Sequence, residues 1–382
     1  MKLKHCYNID DFRRLARKKL PAPLFHYIDG GADDERTLQH NTTSFDRYNL
    51  VPNVLVDISN INLETTILGQ KIDWPVFLSP TGMSRLFHHD GERAVASAAC
   101  KSGTLYTLST LSSINLEDIG GHTNGPKMFQ IYIHRDRGLT LEFIERSRAA
   151  GYDALCLTVD MPVAGNRERD LRTGMTMPPN MSLESIISFA CHPEWTLNYL
   201  FHTKFGLENV RHRISKGSAN ASSVIDYVNE QFDTSITWDD AEKVIAAWGG
   251  PFAIKGITSA KDALHAINIG ATAVIISNHG GRQLDSAPAP FDCLQEIVET
   301  VDGRAEIILD GGIRRGTHVL KALALGANAC MIGRPYLYGL AAGGEKGVIR
   351  VLSLLRQEIE RNMALIGCTD ISELDHSFLN TW

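Results

Sequence analysis

Ala273-Val274-Ile275-Ile276-Ser277-Asn278-His279-Gly280-Gly281-Arg282-Gln283 is the stretch on which the reading of this chain turns. A short β-branched run that stops at polar residues and two glycines has the form of a buried parallel strand delivering side chains to a loop. Within that loop His279 and Arg282 stand three residues apart. Imidazole titrates near neutral pH and guanidinium pairs bidentately with carboxylate, so the two suit removal of a proton from a carboxylate-bearing molecule. The plainer alternative is a core histidine beside a loop-capping arginine. A strand's C-terminal end is where α/β barrels place chemistry, and this favours the functional reading.

Outward from this strand a unit recurs: strand, polar loop, amphipathic helix, glycine. Strands are predicted at Val76–Leu78, Leu105–Leu108, Met128–Ile131, Ala154–Val159, Phe252–Lys255, Ala273–Ser277, Ile307–Asp310 and Cys330–Ile332. Helices are predicted at Glu92–Lys101, Leu139–Ala150, Asp239–Ala247, Ala260–Ile269 and Thr317–Leu325, with Gly103, Gly151, Gly270 and Gly326 where a left-handed C-terminal residue is needed. Right-handed βα crossovers repeated eight times close most naturally into an α/β fold of the (β/α)8 TIM-barrel type. A doubly wound open sheet would require a nucleotide loop, and neither G-x-G-x-x-G nor G-x-x-x-x-G-K-S/T occurs.

The division expected is one domain over residues 1–382, a length that barrels with insertions reach. N-terminal helices and a lid take 1–73, the barrel 74–340, an insertion after the fourth strand 171–236, and a C-terminal helix and tail 341–382. Helices precede Pro21 and follow Pro23, the second one carrying Tyr27, and the alternation of Ile58, Ile61, Leu63 and Ile67 predicts small antiparallel lid strands. The insertion holds Pro178-Pro179, the apolar patch 186–190, the aromatic stretch Trp195–Phe201 and a small-residue tract at 217–223. A loop this long is expected to be a lid packed on its own barrel; peripheral contact with a membrane surface through 171–236 is the alternative.

Composition narrows the class. A hydrophobic fraction of 43% and 32 glycines describe a globular chain with ample core, and a net charge of -6 offers no field for nucleic acid, so no such partner is expected. Seven widely spaced cysteines without C-x-x-C fit a reducing, cytoplasmic location, in which sequons at Asn41, Asn180 and Asn220 are moot. The N-terminus lacks an apolar signal region, and no apolar run is long enough to span a bilayer.

A barrel gathers its strand ends on one face, so they can be read together. They carry Pro80, Thr81, Gly82, Ser109, Gln130, Tyr132, Thr158, Asp160, Lys255, Ser277, His279, Arg282, Asp310, Gly311, Gly312, Gly333 and Arg334. Two late glycine loops with Arg314 and Arg334 form the phosphate site that barrels commonly build there. Earlier hydroxyls and amides (Thr81, Ser109, Gln130, Thr158) suit a flat heterocycle with several hydrogen-bonding edges. A phosphorylated aromatic cofactor is implied, and FMN fits.

Ser277 to Asp285 resembles the signature of the FMN-dependent 2-hydroxy acid dehydrogenases and oxidases, a family that includes L-lactate dehydrogenase, glycolate oxidase and mandelate dehydrogenase. The resemblance extends from Leu20-Pro21 through Tyr27, Gly31-Ala32, Pro80-Thr81-Gly82, Gln130-Ile131-Tyr132, Thr158 to Pro162, Lys255-Gly256 and Asp310 to Gly316, as far as Gly333-Arg334-Pro335. It implies oxidation of a small (S)-2-hydroxy acid, with L-lactate foremost, and His279 as the base that takes the hydroxyl proton. Asp160 would stabilise the imidazolium formed. Tyr27 and Arg282 would hold the substrate carboxylate, Arg167 would assist, and Tyr132 would hydrogen-bond the substrate oxygen. Lys255 would place its charge at one edge of the flavin, the alternative being a salt-bridged strand-end lysine. Asn166 stands where relatives often have a basic residue, which leaves Arg169 as a rival to Arg167.

Oxidase-type relatives often have alanine at Gly82, so glycine leans towards a quinone or cytochrome as electron acceptor. The same resemblance implies a homotetramer, cytoplasmic or peripheral on the cytoplasmic face of the inner membrane. An oxidase that uses oxygen and releases peroxide is the alternative within the same chemistry; an FMN-dependent isomerase leaves His279 and Arg282 unexplained. His88-His89-Asp90 has neighbouring donors but no third ligand at metal spacing, so it is expected to be a loop leading into a helix, and no metal is expected. His265 and His318 are expected to be surface or packing residues.

Overall fold

A computed structural model describes residues 2–175, 182–202, 205–213 and 230–381. Asn180, Asn220, Pro178-Pro179 and the 217–223 tract lie outside the described residues. All eight expected strands form: β1 (Val76–Leu78), β2 (Tyr106–Ser109), β3 (Lys127–Ile131), β4 (Ala154–Thr158), β5 (Phe252–Ile257), β6 (Ala273–Ile276), β7 (Glu306–Asp310) and β8 (Ala329–Ile332). Each neighbouring pair is parallel, and β8 pairs with β1 to close the sheet into a (β/α)8 TIM barrel. The five predicted helices are present within two residues at each end. Gly103, Gly151, Gly270 and Gly326 have φ of 64°, 73°, 99° and 99°, the left-handed turns their positions require.

Side chains of a strand alternate between two faces, and this decides what the barrel mouth contains. Phe77, Met128, Cys156, Ala253, Ile275, Ile308 and Met331 fill the barrel interior as one cluster. Their neighbours Val76, Leu78, Phe129, Leu157, Ile254, Ile276, Leu309 and Cys330 face the surrounding helices in another. Two residues further along, the inward register delivers Ser79, Gln130, Thr158, Lys255, Ser277, Asp310 and Gly333, and Ser109 enters in step from β2. All of these except Gly333 are buried, so an apolar interior is topped by a polar layer.

Part of the N-terminal segment lies at the other end of the barrel from where a lid would be. Thr65–Ile67 and Gln70–Ile72 form a hairpin whose Ile67, Leu68 and Ile72 join the interior cluster. The Leu68 N–H donates to the Glu306 carboxylate at 2.7 Å, at the first residue of β7. The hairpin therefore plugs the N-terminal mouth, because three apolar side chains find an unfilled apolar surface there and none in the polar layer. Ile58, one of the alternating residues, is exposed. Tyr48–Leu50 pairs instead with Leu379–Thr381 near the C-terminus.

At the polar mouth, helices at Ala22–Asp29 and Arg36–Thr43 lean on the loop after β6. Asn41 and Asn278 exchange two buried amide hydrogen bonds of 2.8 and 2.7 Å. In the insertion, helices form at Leu183–Ala190 and Pro193–Phe201. Ser188 Oγ accepts from the Ala22 N–H at 2.9 Å, and the Trp195 indole donates to Leu86 O at 2.8 Å. The aromatic stretch is thus divided: Trp195 stacks on Tyr199 towards the barrel, while Leu197, Leu200 and Phe201 are exposed, as are Leu183, Ile186 and Ile187. Among the described residues no helix is long and apolar enough to cross a membrane.

Candidate active site

His279 has a left-handed φ of 57° and is followed by Gly280 and Gly281, also left-handed, and its ring lines the cavity at the barrel mouth. Its Nδ1 lies 2.8 Å from Asp160 Oδ1. With Nδ1–H donating to the carboxylate, Nε2 is the nitrogen left to act as base. Asp160 approaches closely because residue 256 is glycine: a Cβ there would sit 2.6 Å from the Asp160 Cβ. Burial pushes the Asp160 carboxyl up, but the His279 and Lys255 charges outweigh it and hold the group ionised below its ordinary value.

Three arginines with no carboxylate partner among the described residues surround this pair. Arg282 donates to Tyr27 O at 2.7 Å and Gly30 O at 3.2 Å, with its guanidinium 5.0 Å over the Tyr27 ring. Among the described residues, the Arg334 guanidinium donates to the carbonyls of Ile28, Gly280 and Gly30, and that of Arg314 to Ile313 O. Burial, with the neighbouring Arg167 charge, lowers Arg282 to about 10, and burial lowers Arg314 and Arg334 as well. Three half-buried guanidiniums gathered at one mouth, none paired directly with a carboxylate among the described residues, suit the binding of anions. All three line one cavity with Gly311, Gly312, Gly333, Tyr27, Arg167 and His279. Arg282 and Arg334 meet at the Gly30 carbonyl, Arg282 reaching on to Tyr27 O and Arg334 to Gly280 O.

Arg167, not Arg169, lines the cavity. Its Nε pairs with Asp170 at 3.0 Å and its guanidinium lies 5.8 Å over the Tyr27 ring. Arg169 is spent on Asp29, at 3.0 Å, and on Glu35, which removes it as a rival. Tyr132 is buried at the mouth, edge-on to Phe232 from the end of the insertion at 5.5 Å.

The polar layer meets the expectations unevenly. Thr158 Oγ1 and Asp160 Oδ2 are buried without partners, the condition of groups awaiting a bound molecule. Lys255 Nζ lies 2.7 Å from Asp310 and 2.8 Å from Ser277 Oγ. The salt-bridged reading of Lys255 therefore holds alongside its place in the cavity wall, and Asp310 balances its charge. Thr81 does not present its hydroxyl freely, since it lies 2.6 Å from the Tyr336 hydroxyl. Ser109 Oγ donates to Gln130 at 3.2 Å, which fixes that amide.

Sequence reading missed Ser79, whose hydroxyl donates to Asp310 at 2.6 Å, although the inward parity of Phe77 points to it. It also missed Tyr336, which has no local signal, the Arg167 partner Asp170, which the i,i+3 spacing signals, and Phe87, which stacks on Tyr27 at 6.3 Å.

These residues fit FMN: the flat mouth has unpartnered hydrogen-bonding atoms, and a glycine- and arginine-lined end is suited to a phosphate. The family model described as FMN-dependent dehydrogenase matches residues 16–381. The chain belongs to the FMN-dependent dehydrogenase family. An L-lactate oxidase of Nostoc sp. is 45% identical over 98% of this chain and 98% of its own length. The glycolate oxidase of Spinacia oleracea is 38% identical over 97% of this chain and 95% of its own. Among solved structures, the monotopic membrane protein (S)-mandelate dehydrogenase superposes with a TM-score of 0.95 at 36% identity, covering 99% of this chain and 100% of that one. As a member of the FMN-dependent dehydrogenase family, this protein is a flavoprotein oxidoreductase of 2-hydroxy acids.

Proposed function

We propose that the enzyme oxidises an (S)-2-hydroxy acid, with L-lactate to pyruvate as the leading case, and passes the electrons from FMN to a quinone or cytochrome. The observation that carries this reading is Arg282, which has no carboxylate partner among the described residues and lines the same cavity as His279, the residue paired with Asp160. A phosphate accounts for Arg314 and Arg334; a substrate carboxylate accounts for Arg282. Tyr27 and Arg167 complete that clamp, and Tyr132 hydrogen-bonds the substrate oxygen. His279 Nε2 takes the hydroxyl proton, and the adjacent Asp160 stabilises the imidazolium.

Bound FMN supplies the two-electron acceptor for the substrate carbon. Pro80, Thr81, Gly82, Ser109, Gln130, Thr158, Lys255 and Ser277 would hold its ring; Asp310, Gly311, Gly312, Arg314, Gly333 and Arg334 would hold its phosphate side. Because Asp310 neutralises Lys255, the lysine acts there through its remaining N–H as a hydrogen-bond donor more than as a free charge.

Two observations support a quinone-type acceptor. Gly82 is packed so tightly that a Cβ would meet Leu111 O at 2.9 Å, so an alanine would force the two loops apart. The two insertion helices also expose six apolar side chains, Leu183, Ile186, Ile187, Leu197, Leu200 and Phe201, of the kind that enter the interfacial zone of a bilayer, where quinones reside. The 45% identity to an L-lactate oxidase favours the second reading, in which oxygen is the acceptor and peroxide the product. Family resemblance further supports a homotetramer. Enzyme reduced with L-lactate under nitrogen and then mixed with a short-chain quinone analogue or with air separates the readings. Fast reoxidation by the quinone with little peroxide fits the first; fast reaction with air and one peroxide per turnover would replace it with the second.

A further inference from the structure

Glu92, near the start of the helix Gly91–Lys101, is wholly buried and takes no part in the chemistry proposed for the mouth. Removing a carboxyl from water is costly, so its contacts are informative. Its Oε1 accepts from the Ser84 N–H at 3.0 Å, the Ser113 N–H at 2.9 Å and the Ser113 hydroxyl at 3.2 Å. The Arg85 N–H donates in turn to Ser113 Oγ at 3.1 Å. Ser84 and Arg85 belong to the segment after β1 and Ser113 to the segment after β2, so one oxygen atom ties the two together. Oε2 is buried without a hydrogen-bond partner, and burial pushes the carboxyl up towards the neutral form, for which a glutamine amide is a close substitute.

The tied segments carry part of the cavity wall. Gly82, Met83 and Leu111 line the mouth, and Glu92 does not. The Met83 N–H donates to Leu111 O at 2.9 Å, and a Cβ on residue 82 would meet the same oxygen at 2.9 Å. Met83 holds a left-handed φ of 61°, a conformation that its surroundings must maintain. The bonds to Glu92 begin at the next residue, Ser84. The spacing of the two loops at Gly82 is therefore set from behind the wall.

We propose that Glu92 is a positioning residue: by binding both loops it keeps the gap between Gly82 and Leu111 closed, and so controls how the reduced flavin meets its electron acceptor. A closed gap leaves no path along this edge of the ring, whereas a loosened one admits a small molecule such as oxygen. The inference rests on the placement of Gly82 against the flavin ring proposed above. His279 and Arg282 stand on the loop after β6, away from this tie, so the oxidative half of the cycle is affected more than the reductive half.

The test is stopped flow on FMN-loaded Glu92→Ala, Glu92→Gln and Gly82→Ala enzymes and on the Glu92→Ala/Gly82→Ala pair. Reduction by L-lactate under nitrogen is followed first, then reoxidation by oxygen and by a short-chain quinone analogue. Glu92→Ala is expected to raise the ratio of oxygen to quinone reoxidation at least about fivefold, the lower end of the effect of removing a buried hydrogen-bond partner, with reduction altered less than about twofold. Glu92→Gln, which keeps an oxygen for the same donors, should restore both. Gly82→Ala should shift the ratio in the wild-type background and add little beside Glu92→Ala, where the loops are already apart. An unshifted ratio in Glu92→Ala, equal losses in both half-reactions, no rescue by glutamine, or additive effects of the two replacements overturns the positioning role. If Gly82→Ala alone changes neither half-reaction, Gly82 does not stand against the flavin, and that placement falls together with the inference. Should Glu92→Ala not retain its flavin, Ser113→Ala, which removes only the hydroxyl contacts, carries the test: a smaller shift in the same direction supports the role, and an unshifted ratio overturns it.

Discussion

At the scale of single residues, the chemistry separates into a base, its partner and a clamp, and each has its own signature. His279→Gln is expected to retain FMN while anaerobic flavin reduction slows by at least about 10²-fold, the loss expected for a missing general base. Near-normal reduction in stopped flow removes His279 from that role. Arg282→Met is expected to raise KM and lower kcat/KM with FMN binding intact, because it empties the substrate's anion position and leaves the phosphate's occupied. Equal KM values for the two enzymes would contradict the clamp. A different carboxylate contributes to stability against acid. Asp29, ion-paired with Arg13 and Arg169 and hydrogen-bonded by Tyr338, is pushed up by burial but held down to about 2 by these partners. A carboxyl held below its unfolded value stabilises the fold fully above about pH 4 and loses that contribution as pH falls towards about 2. Asp29→Asn should therefore cost about 1–2 kcal/mol at pH 7, allowing for the half-exposed Arg13, with the difference shrinking below pH 4 in denaturant titrations. A pH-independent difference would mean that the ion pairs contribute nothing.

Among the elements, the helix Arg36–Thr43 and the loop after β6 depend on each other. The Asn41–Asn278 pair is buried and reciprocal, and Asn278 also donates to Pro288 O at 3.0 Å, which sets the position of His279 one residue later. Asn41→Ala leaves the Asn278 amide short of partners in a dry place, at a cost of about 1–3 kcal/mol. Urea unfolding measures this, and an unchanged midpoint would show that the pair is dispensable. The sequence displayed the strands and the loop chemistry because both follow from local periodicity: β-branched runs ending in polar residues are visible one strand at a time. Ser79 was also readable in principle, two residues after the inward Phe77. The hairpin at 65–72 was legible as a hairpin but not in its location, since the choice between the two barrel mouths depends on which one offers apolar surface. The Lys255–Asp310 pair was legible only by half: a salt-bridged strand-end lysine could be read, but not its partner, which the strand ends bring to it from distant sequence. The Arg167–Asp170 pair, three residues apart, was within reach of a local reading.

For the whole molecule, one end of the barrel is sealed by the hairpin and the other carries the site, beneath N-terminal helices and an insertion with one anchored and one exposed face. That exposed face, with Ile186, Ile187, Leu200 and Phe201, should carry the protein to lipid vesicles in flotation. Replacing Ile187 and Phe201 with serine should release it and leave soluble-acceptor turnover unchanged, whereas vesicle binding unaltered by both replacements would exclude this face. The chemistry proposed for this enzyme requires a single barrel mouth to hold a flavin, a base and a substrate carboxylate at once. Mixing the yellow holoenzyme with L-lactate in the absence of oxygen tests this most directly. Rapid loss of the flavin absorbance is the predicted result, and a spectrum unchanged by L-lactate or any other 2-hydroxy acid would contradict it.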